Sequence, residues 1–226
     1  MSRKSIITID GPSGVGKSTV SRRVAGLMGY TYLDTGAMYR AVGLFLDRGG
    51  VDINNSEAIS RCLDDLKLEL LPSVDELSDV CVVLNGEDVS EAIRTPEAAM
   101  VASRVSAVPV VREKLTEMQR SLGSEGGVVA EGRDTGTVVF PMADHKFFLD
   151  AEPGERARRR VSQLRERGVE ADEREILALT LERDKNDSER DIAPLRQAED
   201  ALRIDSTSIT IEEVIAKVVK KIKCSP

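Results

Sequence analysis

The chain has 226 residues, 41% of them apolar, enough for one well-buried core with a small appendage, and no run approaches the ~20 apolar residues of a membrane span. Lys+Arg 32 against Asp+Glu 39 leaves a net charge of −7, and with 3 Tyr, 4 Phe and no Trp this excludes a nucleic-acid-coating surface or a base-stacking platform. Three scattered cysteines (Cys62, Cys81, Cys224) and a lone histidine, His145, leave neither a disulfide framework nor a Cys- or His-rich zinc site.

The start, MSRKSIITID, lacks the apolar stretch and cleavage site of a signal peptide, so a soluble, cytoplasmic protein is expected. Residues 5–10 form a β-branched run that ends in Gly11-Pro12-Ser13-Gly14. From Ser18 onward Val20, Val24, Leu27 and Met28 recur at helical spacing, and Gly29 is a C-terminal stop signal. A second strand is predicted at Tyr30–Leu33, followed by a helix through about Arg48. Leu66–Leu71 and Val80–Leu84 read as two strands with a turn at Asn85-Gly86, a small antiparallel insertion. Residues 95–123 read as two helices divided at Pro109. Short strands are predicted at Gly127–Ala130, Lys146–Leu149 and Ala201–Ile204, and a last helix at Ile211–Ile222. Strands alternating with helices imply an α/β fold with a parallel sheet covered on both faces.

Four segments carry chemistry. Gly11-Pro12-Ser13-Gly14-Val15-Gly16-Lys17-Ser18 matches the phosphate-binding loop G-x-x-x-x-G-K-[ST]. Its glycines let backbone N–H groups turn toward phosphate oxygens, Lys17 reaches the β- and γ-phosphates, and the Ser18 hydroxyl can ligate Mg²⁺. Residues 34–40, DTGAMYR, place polar groups at the end of the second strand, where open α/β sheets bind ligands. Residues 131–137, EGRDTGT, set an arginine beside an aspartate after another predicted strand. Arg183, Asp187 and Arg190 stand at i, i+4 and i+7, which puts them on one face if the segment is helical. The arginines Arg156, Arg158, Arg159, Arg160, Arg165 and Arg167 form either a solvated helix or a mobile flap over phosphates. Arginine outnumbers lysine 22 to 10, in keeping with a local grip on phosphate inside an acidic protein. Each segment also admits a bland reading, as a glycine-rich turn, a cap, a salt-bridged loop or a charged helix face.

At ITIDGPSGVGKST, LDTGAMYR, ASRVSAVPVVR, EGRDTGTVVFP and ERDKNDSERDIAPL the sequence closely resembles the bacterial cytidylate kinases, a family of nucleoside monophosphate kinases. The resemblance implies a P-loop three-layer fold with five parallel strands, an antiparallel monophosphate-binding insert and a short helical lid. The single kinase domain would divide into a core at about 1–35, 108–153 and 188–226, a monophosphate-binding region at about 36–107 with insert 66–92, and a lid at about 154–187, its arginine-bearing part Arg156–Arg167. It implies transfer of the γ-phosphoryl group of Mg·ATP to CMP, with dCMP a further substrate, by a monomer. Gly11 to Thr19 (Gly11, Pro12, Ser13, Gly14, Val15, Gly16, Lys17, Ser18 and Thr19) would bind ATP, with Ser18 on Mg²⁺. Arg40, Arg133 and Arg190 would hold the acceptor phosphate; Thr35, Ser103, Arg112 and Asp134 would read cytosine; Arg183 and Asp187 would hold the ribose. Lys17, Arg133 and Arg190 would be the catalytic groups. Thr35 replaces a serine found in some relatives and keeps the hydroxyl, while Ser18 replaces a glycine found in others. The alternatives are a P-loop small-molecule kinase with another acceptor, and a guanine-nucleotide switch, for which the N-K-x-D base-reading motif is missing. His145 is expected to be structural.

Overall fold

The computed structural model describes residues 3–71, 80–166 and 168–224. In chain order the first elements are β1 (Ile6–Asp10), α1 (Lys17–Met28), β2 (Thr31–Asp34), α2 (Thr35–Arg48) and α3 (Ser56–Asp64). The insertion follows as β3 (Leu68–Leu71), β4 (Cys81–Leu84) and β5 (Glu87–Asp88). After it come α4 (Pro96–Val105), α5 (Pro109–Leu122), β6 (Val128–Gly132), β7 (His145–Asp150), α6 (Pro153–Glu166), α7 (Glu173–Glu189), β8 (Leu202–Asp205) and α8 (Ile211–Cys224).

The main sheet has the order β2-β6-β1-β7-β8, and every pairing in it is parallel. Its central strands β1 and β6 are buried along their whole length, as a sheet covered on both faces requires. Alternation at period two divides the core. Ile6, Leu33, Val128 and Ala130 face α2, α4 and α5, whereas Ile7, Ile9, Val129, Phe147 and Leu149 face α1 and α8. Ile7 and Ile9, fully buried, contribute about 2 kcal/mol each. Strands β3, β4 and β5 form a separate antiparallel sheet, anchored to the end of α2 where Arg48 grips both carboxylate oxygens of Glu87 at 2.7 and 3.0 Å. Among the described residues no helix is long and apolar enough to cross a membrane.

Several local expectations shift. The third strand β5 and helix α3 add to the predicted elements; α3 is short and buries Ile59 and Leu63, one helical turn apart. Pro109 opens α5, where its missing N–H costs nothing, rather than marking the break itself. Strand β6 runs on through Glu131 and Gly132, so the segment predicted as a post-strand loop begins inside the sheet. Helix α7 stops at Glu189, and Arg190 is extended at φ −63°, ψ 141°. Arg183 and Asp187 do share a face of α7, 4.0 Å apart, whereas Arg190 stands just past the helix end rather than on the predicted continuation of it. Part of the insert predicted at 66–92, residues 72–79, lies outside the described residues.

Gly11, directly after β1, has φ +150°, and a Cβ there would lie 2.0 Å from the carbonyl oxygen of Leu149. That atom belongs to the neighbouring strand and cannot rotate away. Gly11→Ala is expected to lower unfolding stability by about 3 kcal/mol, measured by urea denaturation; an unchanged midpoint would refute this close approach.

Candidate active site

Two loops leave adjacent parallel strands and meet at the carboxyl edge of the sheet. After β1, Gly11, Gly14 and Gly16 all take positive φ, which turns the loop around its own amides. Gly16 caps α1 in the left-handed region with no side-chain cap, leaving the first-turn N–H groups for an anion. Gly14 has a second reason to lack a side chain: its Cβ would press on Arg156 Cβ at 3.1 Å. Lys17 is buried and donates to the Pro12 carbonyl at 2.7 Å. Burial, then the positive charge of Arg133, lowers its pKa from 10.5 to about 7, against the pull of Glu131. Ser18 and Thr19 are exposed at the open end of the loop.

The other side of the site is assembled from α2, the end of α4, α5, the turn after β6 and the end of α7. Asp34 caps α2 by accepting from the Ala37 N–H at 2.8 Å, and its other oxygen lies 3.3 Å from the Arg40 guanidinium. Thr35 donates its hydroxyl to the Glu131 carbonyl at 2.6 Å, tying α2 to the end of β6. Asp134 is buried between two arginines: its Oδ2 bonds Arg112 and its Oδ1 lies 3.4 Å from Arg190. Burial raises its pKa, and Arg112, Arg190 and Arg133 in turn pull it down. Arg112 also stacks 5.6 Å from the Tyr39 ring centre. Arg133 Nε bonds Asp187 at 2.7 Å. Burial pushes the Asp187 pKa up, but the charge and hydrogen bond of Arg133 together with the charges of Arg183 and Arg190 bring it below the usual carboxylate value. Arg190 also donates to Ser106 Oγ at 3.1 Å, one turn from the half-buried Ser103, whose carbonyl receives the Ser106 hydroxyl.

The structure thus gathers Thr35, Arg112, Arg133, Asp134, Asp187 and Arg190 at one place and Arg40 beside them. Buried Nε donors of Arg40 and Arg183 have no hydrogen-bond partner, so an oxyanion would satisfy both. A cavity of about 90 Å³ is bounded by Ser18, Asp34, Arg40 and Arg94, between the loop and the insert. Arg183 reaches the phosphate loop, where it donates to Ser13 Oγ at 3.2 Å. Its pKa falls to about 10, first by burial and then by Arg133.

Sequence reading missed three groups. Asp10 and Glu131 are buried carboxylates on β1 and β6 that looked like ordinary strand ends; the acidic residue in an otherwise apolar buried strand was the available signal. Glu131 accepts from Tyr32 at 2.5 Å, while its Oε2 has no partner. Burial and Asp34 raise its pKa; Lys17 and hydrogen bonds from Tyr32 and Ser18 oppose the rise. Arg156 fits neither predicted role. It is 3% exposed and donates to the carbonyls of Ala151 and Ser13 and to both oxygens of Asp184, so it roots α6 on the phosphate loop. Arg158 and Arg159 pair with Glu155 on the same helix, and Arg167 lies outside the described residues.

A central parallel strand feeding a glycine-rich phosphate loop and helix, with an arginine-lined cleft at the next strand, defines a P-loop kinase fold. Among solved structures, an uncharacterized protein from Eubacterium ventriosum is similar at TM-score 0.52 over 98% of this chain and 99% of that one, at 14% identity, a likeness of fold alone. The family model described as cytidylate kinase matches residues 7–224. A cytidylate kinase of Syntrophotalea carbinolica is 48% identical over 97% of this chain and 92% of its own, and one of Carboxydothermus hydrogenoformans is 46% identical over 95% of each. A bifunctional pantoate ligase/cytidylate kinase of Prochlorococcus marinus is 50% identical over 97% of this chain and 43% of its own length. The chain belongs to the cytidylate kinase family.

Because Lys17 titrates near 7 when folded and near 10.5 when unfolded, the unfolded state binds more protons between those values. Stability from this group therefore rises with pH above 7, by at most about 1.4 kcal/mol per unit. Lys17→Met, similar in volume, is expected to lack that rise and to abolish turnover. Urea melts of ligand-free protein at pH 7 and pH 9 check it; an identical pH increment in the variant would refute the buried amine.

Proposed function

We propose that the chain transfers the γ-phosphoryl group of Mg·ATP to the phosphate of CMP, and of dCMP, giving ADP and the nucleoside diphosphate by in-line displacement. The observation that carries the reading is Asp134 held between Arg112 and Arg190, one loop away from the phosphate loop. Cytosine presents an amino donor beside acceptors, so a carboxylate paired with an arginine suits its edge. Uracil would turn a carbonyl toward the carboxylate, a polar mismatch rather than a steric one. Thr35 and Ser103 add hydroxyls to this wall.

Mg²⁺ fits the residues present. Among the described residues no three acidic, cysteine or histidine side chains cluster as a metal cage. The exposed Ser18 hydroxyl, with the buried Glu131 carboxylate behind it, supplies hard oxygen beside Lys17. Ser18 would hold the ion with the triphosphate; when bound, Mg²⁺ neutralises charge on the β- and γ-phosphates. The chain's own groups do the rest. Loop amides and Lys17 fix the triphosphate, while Arg40, Arg133 and Arg190 orient the acceptor phosphate and spread developing charge. The attacking oxygen is already anionic, so no general base is needed. In this reading the catalyst is a monomer, working in the cytoplasm where both nucleotides are dissolved.

Arg183 admits a second reading. Its contact with Ser13 favours a bridge between donor and acceptor phosphates, with the ribose left to Asp187.

A coupled assay of ADP release over the common nucleoside monophosphates with Mg·ATP is expected to show CMP and dCMP as the preferred acceptors and no turnover after chelation of Mg²⁺. Equal use of another monophosphate would overturn the cytosine assignment. Asp134→Asn is expected to raise KM for CMP at least about tenfold, the worth of one charged hydrogen bond, with ATP affinity within about threefold. Arg183→Ala distinguishes its two readings: an altered ratio of CMP to dCMP use marks a ribose contact, whereas a fall in kcat at constant ratio marks the bridge.

A further inference from the structure

Asp10 is 4% exposed, and both of its carboxylate oxygens are engaged within the fold. Oδ1 accepts from the Thr135 N–H at 2.9 Å and from the Thr135 hydroxyl at 2.8 Å. Oδ2 accepts from the Gly136 N–H at 2.7 Å. On one side Asp10 is followed directly by Gly11, the first residue of the phosphate loop. On the other, Thr135 begins a wide helical turn, Thr135–Val139, and is preceded directly by Arg133 and Asp134. One side chain therefore pins the two loops to each other across 125 residues of sequence.

The surroundings are shaped to admit it. A Cβ on Gly136 would lie 3.3 Å from Asp10 Oδ2, and one on Gly132 would lie 2.8 Å from Thr35 Oγ1. The chemistry also demands a carboxylate. An asparagine offers one acceptor oxygen, and its NH₂ would face the N–H of Gly136 or Thr135 donor to donor. A buried ionised group is costly to keep in an apolar sheet. Burial raises the pKa of Asp10 to about 6 against the three hydrogen bonds, with the charge of Asp134 adding to the rise.

We propose that Asp10 is a positioning residue for phosphoryl transfer: by gripping Thr135 and Gly136 it sets where Arg133 and Asp134 stand relative to the phosphate loop. The proposal rests on the reading of those two residues as acceptor-binding groups. Such a residue acts on alignment, so each substrate alone should bind nearly normally while their meeting suffers. The charged and titratable groups around Asp10 are Lys17 of α1, Asp134 of the turn, Glu131 on β6 and Lys146 on β7. Lys146 is held by Asp200 and the Pro141 carbonyl, and the charge of Asp10 favours protonated Lys17.

The test compares wild type, Asp10→Asn and Thr135→Val. With CMP and Mg·ATP, Asp10→Asn is expected to lower kcat at least about 30-fold and Thr135→Val about 3- to 10-fold. Dissociation constants of CMP and of a non-hydrolysable ATP analogue, each measured alone by calorimetry, should move by less than about threefold. In ligand-free protein the ¹⁵N–¹H signals of Thr135 and Gly136 should titrate with a midpoint near 6, and this titration should vanish in Asp10→Asn. As pH falls through that midpoint, wild-type kcat should drop more steeply than that of Asp10→Asn, the ionisation of the nucleotide phosphate being common to both. Unchanged kcat in Asp10→Asn overturns the proposal, as does a parallel weakening of both dissociation constants that accounts for the whole loss. Should Asp10→Asn fail to fold, unchanged kcat in Thr135→Val overturns it equally. Wild-type inactivity toward CMP would instead refute the acceptor reading, and the amide titration would still report on the Asp10 contacts.

Discussion

Two parallel strands in register set the scale of this site. Asp10 at the end of β1 stands opposite Gly132 at the end of β6, and neighbouring strands are held about 4.8 Å apart by their backbone ladder. The loops that leave those ends therefore start a single strand spacing from each other. A phosphoryl donor on one and an acceptor on the other need little further apparatus to meet, and the helices on both faces serve to keep that spacing dry and rigid. Residue types follow from the crowding: glycine where a backbone carbonyl comes close, as at Gly11, or where side chains crowd in, as Thr35 and Thr135 do at Gly132, and β-branched residues along the buried strands.

Charge is arranged against the average of the molecule. The surface is acidic at a net −7, yet Arg40, Arg112, Arg133, Arg183 and Arg190 converge at the sheet edge. Such a cluster repels itself, which shows in the lowered pKa values of Lys17 and Arg183, where Arg133 adds to the effect of burial. Asp34, Asp134 and Asp187 separate the arginines and hold them in place. The guanidinium groups are thereby already gathered in the folded chain rather than spread into solvent. Preorganisation of this kind is what makes electrostatic stabilisation effective in a site with little water.

The phosphate loop was legible because its function is written in local backbone chemistry: three glycines, a lysine and a hydroxyl within eight residues. The insert was legible from Asn85-Gly86, whose Asn85 does take the left-handed conformation at φ 49°. Asp10 and Glu131 were not, since their partners lie on other strands and no short-range pattern records them. Arg190 was read into a helix because charge spacing persists past Glu189, whereas the chain itself turns away there and Arg190 bonds the Ala193 carbonyl instead. Arg156 reads in the sequence as one of a string of arginines on a solvated helix or a mobile flap over phosphates; its distinct role depends on contacts with Ser13 and Asp184, invisible in a stretch so uniformly basic.

That last contact has a mechanical consequence. Helix α6 is about 21 Å long from its fourteen residues, and it is bolted to the donor loop near its first turn. A pivot of only 10° at that root would sweep the far tip by about 4 Å, the width of a water molecule and more. The length of the helix would thus amplify any tilt at its root into a larger displacement at its tip.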